Sequence, residues 1–162
     1  MILLPLLLLA SAADQKASDK LPPANPLPPP VSEEGQVMAP INLLFDGLAR
    51  RDSATVLAAM RADGSATSAS EKADGTRNVH HMTAAEFAAA IKPGPERYQE
   101  RISDPAIEID GDIAMVWAPY AFLVDGKVHH CGIDHFDLVR ENGAWKVQNV
   151  TWSSRTTGCP AA

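Results

Sequence analysis

GDIAMVWAPYAF (residues 111–122), DGKVHHCGIDHFDLV (125–139) and GAWKVQNVTWS (143–153) follow one another in the last third of the chain. Asp110-Gly111, Asp125-Gly126 and Asn142-Gly143 punctuate them. Such pairs tolerate the positive φ of tight hairpin turns, so they divide the sequence into four antiparallel strands at about 97–109, 112–124, 127–140 and 144–155. A twelve-residue strand is about 40 Å long if flat. A small domain cannot cover that length, so the sheet must curl. Pro119 fits a curl, because a missing N–H inside a paired strand is tolerated at a bulge, and Gly132 is placed to make a matching bend. The strand 112–124 is apolar on both faces: Ile113, Met115, Trp117 and Leu123 alternate with Ala114, Val116, Tyr120 and Phe122. One face belongs under helices. The other needs cover as well, and a second copy of the chain is the simplest cover.

Upstream of the meander the period changes. Ile41, Leu44, Phe45 and Leu48 recur at helical spacing, with Pro40 setting a start near Ala39 or a kink. Val56, Leu57 and Met60 form a short second helix capped by Asp52 or Ser53. Gly64–Ser70 and Arg77–His80 are weak strand candidates. Thr83-Ala84-Ala85-Glu86 reads as a capping box, Met82 and Phe87 as its hydrophobic staple, and Pro93-Gly94-Pro95 as the stop of the third helix.

At the other end, ILLPLLLLA (residues 2–10) is too short to span a bilayer but fits the apolar core of a secretory signal. Ala10 and Ala12 supply the small-x-small spacing of a cleavage site, although no Lys or Arg precedes the apolar run. We therefore read residues 1–13 as a signal peptide, 14–36 as a Pro-rich linker and 37–158 as one domain, with a periplasmic or secreted destination. Six of the 13 prolines fall between Leu21 and Pro30, where the missing N–H groups leave an extended tether. The 162 residues carry 14 Lys and Arg against 20 Asp and Glu. Nucleic-acid binding needs clustered cations, so this balance argues against it, and nothing in the mature chain is long and apolar enough to cross a membrane.

The three quoted segments, with LFDGLARRD (44–52), resemble the nuclear transport factor 2-like superfamily over about residues 36–156, near its polyketide-cyclase-like and lumazine-binding-like branches. That resemblance implies an α+β, cone-shaped fold with N-terminal helices on a long curled antiparallel sheet. It also implies a homodimer and a pocket between the concave face and the helices. Some members are isomerases, cyclases or dehydratases and others bind without catalysis, so the fold does not choose. In the ketosteroid isomerase branch a first-helix Tyr and an acid on the third meander strand form an oxyanion hole, and a second carboxylate is the base. The Tyr position falls near Leu44 and the base near Ser68, so both groups are missing here. Asp134 matches the strand acid; a one-residue slip would put His135 there.

Asp134 and His130 lie four apart on one strand and so share a face, which makes them the candidate acid–base pair. The plainer reading is a polar pair that only shapes a pocket. Tyr120, Phe122, His80 and Trp152 are the candidate ligand-binding residues. A two-residue turn at Asp125-Gly126 sets Tyr120 opposite Cys131, off the face of His130; a bulge at Pro119 or Gly132 would restore it. His80-His81, His129-His130 and His135 invite a metal reading, but strand neighbours point to opposite faces and no helical H-x-x-x-H or paired C-x-x-C occurs. We therefore expect neither metal nor cofactor. Cys131 and Cys159 are the only cysteines. An even count in an exported chain points to a disulfide, and a turn at Asn142-Gly143 sets Cys131 opposite Ser154, near the returning tail. The alternative is a buried Cys131 with Cys159 free. Three functions stand in order: a pocket domain binding a small apolar or aromatic molecule, a lyase or isomerase using Asp134 and His130, and a protein-interaction module.

Overall fold

Ser32 opens the first element by accepting a hydrogen bond from the Gly35 N–H at 3.0 Å, which satisfies one of the free donors of helix α1 (Glu33–Arg50). The computed structural model describes residues 32–161. The signal-peptide reading and most of the linker reading therefore lie outside the described residues. α1 begins six residues ahead of Ala39 and carries Pro40 buried in its interior, because Val37 and Met38 extend the apolar face of Ile41, Leu44 and Leu48 backwards. It ends at Arg51, whose φ of 55° puts it in the left-handed region and lets its N–H reach the Gly47 and Leu48 carbonyls. Asp52 then caps α2 (Ser53–Ala59). Met60, expected in that helix, is the first residue of β1 (Met60–Glu71), which pairs with β2 (Arg77–Thr83). Both halves of the capping box form at α3 (Ala84–Ala90), with Thr83 and Glu86 bonding each other's backbone N–H.

The stretch 97–109 is two strands, β3 (Tyr98–Ile102) and β4 (Ala106–Asp110), not one. Both pair with β5 (Ile113–Val124), which hairpins into β6 (Lys127–Glu141) and then β7 (Ala144–Arg155). The break between β3 and β4 explains Pro119. A strand residue's N–H and C=O point to the same neighbour, and the Pro119 carbonyl accepts from Ser103 N, inside the break. The missing N–H thus falls where no partner strand runs, and no bulge is needed at Pro119.

The sheet order is β2-β1-β7-β6-β5-β3, with β4 also on β5. It is mixed, because β1 runs parallel to β7. The bulges lie elsewhere than Pro119 or Gly132. Phe122 faces His130 but Leu123 faces Val128, so His129 is the extra residue. Leu138 faces Val147 but Asp137 faces Asn149, so Gln148 is another. Gly132 does mark a close approach: a Cβ there would stand 2.0 Å from the Ser153 carbonyl oxygen. The curled sheet closes around α1, α2 and α3, with Ile41, Leu44, Val56, Val116, Phe136, Leu138 and Val147 at the centre.

Candidate functional site

The His129 bulge decides what faces inward. It returns Phe122 and Tyr120 to the face of His130 and Asp134. Across that face run two rows, Glu100–Phe122–His130 and Ala118–Asp134–Trp152, each one residue from a successive strand. α1 contributes Leu44, Phe45 and Leu48, and α3 with the residue after it contributes Phe87 and Ile91. Together with Tyr98 and Phe136 these residues line a half-open cavity of about 160 Å³. Its walls are aromatic: Phe45 meets Phe136 edge-on at 6.0 Å, Phe87 meets Trp152 at 5.9 Å, Tyr98 meets Phe122 at 5.2 Å, and Phe122 stacks on His130 at 4.8 Å. Wider depressions exist, such as one of about 340 Å³ along the β1–β2–β7 edge, but Glu71, Arg77, Asn78 and Arg155 line it at exposed positions.

The polar groups of the cavity are few and unusual. Asp134 is 3% exposed, and its Oδ2 is buried with no hydrogen-bond partner. Burial raises its carboxyl well above the carboxylate range. Glu100 lies two strands away on the same face. It keeps partial exposure, yet the protein around its carboxyl, and then the charge of Asp134, push it strongly upward too. Two like charges in a poorly solvated site cannot both ionise cheaply, so near neutrality the pair retains protons. His130 is held neutral: burial first, then His129, pulls its imidazole down to about 4. Tyr120 lies buried beside this group, its hydroxyl donating to the Ser153 carbonyl at 2.9 Å, and burial and Glu100 raise its phenol. At the rim, Arg51 stacks over Tyr98 at 4.0 Å and pairs with Glu96 at 2.6 Å.

Of the residues singled out in the sequence, Asp134, His130, Phe122 and Trp152 meet at this cavity. Asp134 and His130 do not touch as an acid–base pair. Among the described residues no hydrogen bond or ion pair joins them, and His130 Nδ1 lies 2.9 Å from His129 Nδ1 instead. Tyr120 is behind the wall, turned to Ser153. His80 is exposed on β2, opposite Ser68 and away from the cavity. Cys131 and Cys159 form a disulfide with their Cα atoms 5.6 Å apart, and Cys131 faces Arg155 rather than Ser154 because of the Gln148 bulge. No cluster of three His, Cys, Asp or Glu suited to a metal occurs among the described residues. Glu100 is the functional candidate that sequence reasoning missed. Its signal was the alternation Tyr98, Glu100, Ile102, which puts a carboxyl on the inward face of a strand.

A family model described as "Putative lumazine-binding" matches residues 32–153. No curated protein sequence matches the chain. Similar solved structures include an NTF2-like protein from Cytophaga hutchinsonii, 14% identical with TM-score 0.59, over 76% of this chain and 98% of that one. An NTF2-like protein of unknown function from Shewanella baltica is 18% identical with TM-score 0.55, over 75% of this chain and 93% of the other. The β subunit of a "putative aromatic-ring-hydroxylating dioxygenase" from Novosphingobium aromaticivorans is 12% identical with TM-score 0.62, over 78% and 91%. At these identities the likeness is one of fold.

Proposed function

The chain belongs to the lumazine-binding-like family, and from that premise we propose that its cavity holds one small apolar or aromatic molecule without turning it over. The observation that carries this reading is the ring of aromatic walls, Phe45, Phe87, Phe122, Phe136 and Trp152, around a space of about 160 Å³. A cavity of roughly 150 Å³ accommodates benzene, which makes single-ring molecules the first ligands to test. Trp152 reports on occupancy. Titrating single-ring compounds while following Trp fluorescence and aromatic NMR shifts should give saturable changes that Phe122→Ala weakens at least fivefold. No saturable change with any of them would overturn the reading.

A second reading, a lyase or isomerase, is favoured by the carboxyls of Glu100 and Asp134, which retain protons where a general acid needs them. Under it Asp134→Asn abolishes turnover; under the first, the protein has no turnover to lose. We further propose that the protein acts outside the cytosol, because the Cys131–Cys159 bond suits an oxidising compartment and an N-terminal apolar run precedes the domain. Self-association through the convex face of β5 completes the proposal. It is supported by Ile113 and Trp117, which leave 59% and 49% of their surface open.

A further inference from the structure

The geometry points to a protonated amine as the polar group of the ligand, held between Asp134 and Glu100 with its ring against the aromatic walls. This inference rests on the pocket reading and adds a charge to it. Three observations converge. Asp134 is almost wholly buried, its side chain belongs to the cavity lining, and its Oδ2 has no partner within the protein. A buried polar oxygen left unpaired is costly, so a ligand group that completes it is favoured. Glu100 lines the same space and feels the charge of Asp134. Among the described residues no Lys or Arg lines the cavity that could neutralise the two.

The groups around the pair offer no alternative cation. From β6, His130 is neutral and engaged with His129. From β5, Tyr120 donates to Ser153. From β3, Tyr98 carries Arg51, reaching from the end of α1, across its ring, and Arg51 is paired with Glu96. Arg155 on β7 reaches the group electrostatically only through Tyr120. An incoming ammonium would donate to Asp134, with the Glu100 carboxyl adding favourable charge from the same cavity, and the faces of Phe122 and Trp152 would add cation–π attraction. A neutral alcohol or a carboxylate would fill the same walls without forming that ion pair.

Benzylamine, benzyl alcohol and benzoate are matched probes, all near the cavity's size. Calorimetry on the folded chain at pH 7, with Trp152 fluorescence in parallel, should show benzylamine binding at least tenfold tighter than either benzyl alcohol or benzoate. Binding of benzylamine should release a proton, seen as a dependence of the measured heat on the buffer's ionisation enthalpy. Asp134→Asn and Glu100→Gln should each bring the amine-to-alcohol affinity ratio down to within about twofold of one, with cooperative thermal unfolding showing that the variants fold. If benzyl alcohol or benzoate binds as well as the amine, or if the preference survives both substitutions, the cation is wrong and the pocket stands. If none of the three binds, the cation and the pocket reading fall together.

Discussion

Asp134 and His130 titrate against the fold in opposite directions. Stability rises with pH wherever the unfolded chain binds more protons than the folded one. For Asp134 the folded carboxyl is raised, so between its ordinary range and its folded value the native chain holds the extra proton and stability falls as pH rises. Glu100 acts with the same sign. For His130 the folded imidazole is lowered from 6.5 to about 4, so across that window the unfolded chain holds the extra proton and stability rises with pH. Below pH 6.5 the two effects oppose each other; above it only the carboxyls remain. Thermal unfolding should therefore show Tm falling between pH 6.5 and 8.5 by about 3–6 °C, equivalent to ~1–2 kcal/mol. Asp134→Asn should remove most of that fall, and a fall unchanged in the variant would show that the buried carboxyl is not its source. The residues behind this profile were only partly legible. His130 and Asp134 were found by strand alternation alone, but Glu100 became a partner only once β3 was seen to lie across β5 from His130.

At the level of elements, period and turn chemistry carried the reading and register did not. The Asp125-Gly126 and Asn142-Gly143 turns and the α3 capping box appear where their residues put them, because each is decided within four residues. The first turn is Gly111-Asp112, one residue later than Asp110-Gly111, since Asp110 still pairs with Ile113. The bulges at His129 and Gln148 have no such local signature. Each is a one-residue slip selected by packing on both faces at once, and each moves every later side chain to the other face. The parallel pairing of β1 with β7 was equally hidden, since no turn connects them. The Gln148 slip sets Cys131 opposite Arg155, and Gly158, with φ of 67°, turns the tail back so that Cys159 reaches it. Pro160 and Ala161 then border the same groove as Leu123 and Cys131, which explains why these two convex-face residues are buried in a single chain. The bond closes 28 residues of sequence and on the chain-entropy model contributes about 3–4 kcal/mol. Reduction, or Cys159→Ser, should lower Tm by about 10 °C. A shift below about 2 °C would mean that the tail packs equally well without the crosslink.

At the scale of the whole molecule, the tail answers half of the question raised by a strand apolar on both faces. It covers the end of β5 that carries Leu123 and leaves the end that carries Ile113 and Trp117 open. The Trp117 ring meets His135 of the neighbouring strand at 5.8 Å, and Met115 lies half-buried between it and Ile113. A large aromatic left open on the strand next to the sheet's edge loses the free energy of burial that its own helices cannot supply, since those lie on the other face. A second copy placing the same patch against it satisfies both at once, because a two-fold contact is self-complementary. Acids border the patch on this face: Asp137 and Glu108 stand opposite Met115 on the two neighbouring strands and Asp110 opposite Ile113, and Asp137 is paired with His135 at 3.6 Å. Sedimentation equilibrium at micromolar concentration should thus give a mass near twice 17.3 kDa less any cleaved signal. Trp117→Arg should shift it to the single-chain mass while leaving benzyl alcohol binding intact, since Trp117 is on the face opposite the cavity. A monomer in the unsubstituted protein would return the convex face to the third function, a surface for a different partner, without touching the cavity reading.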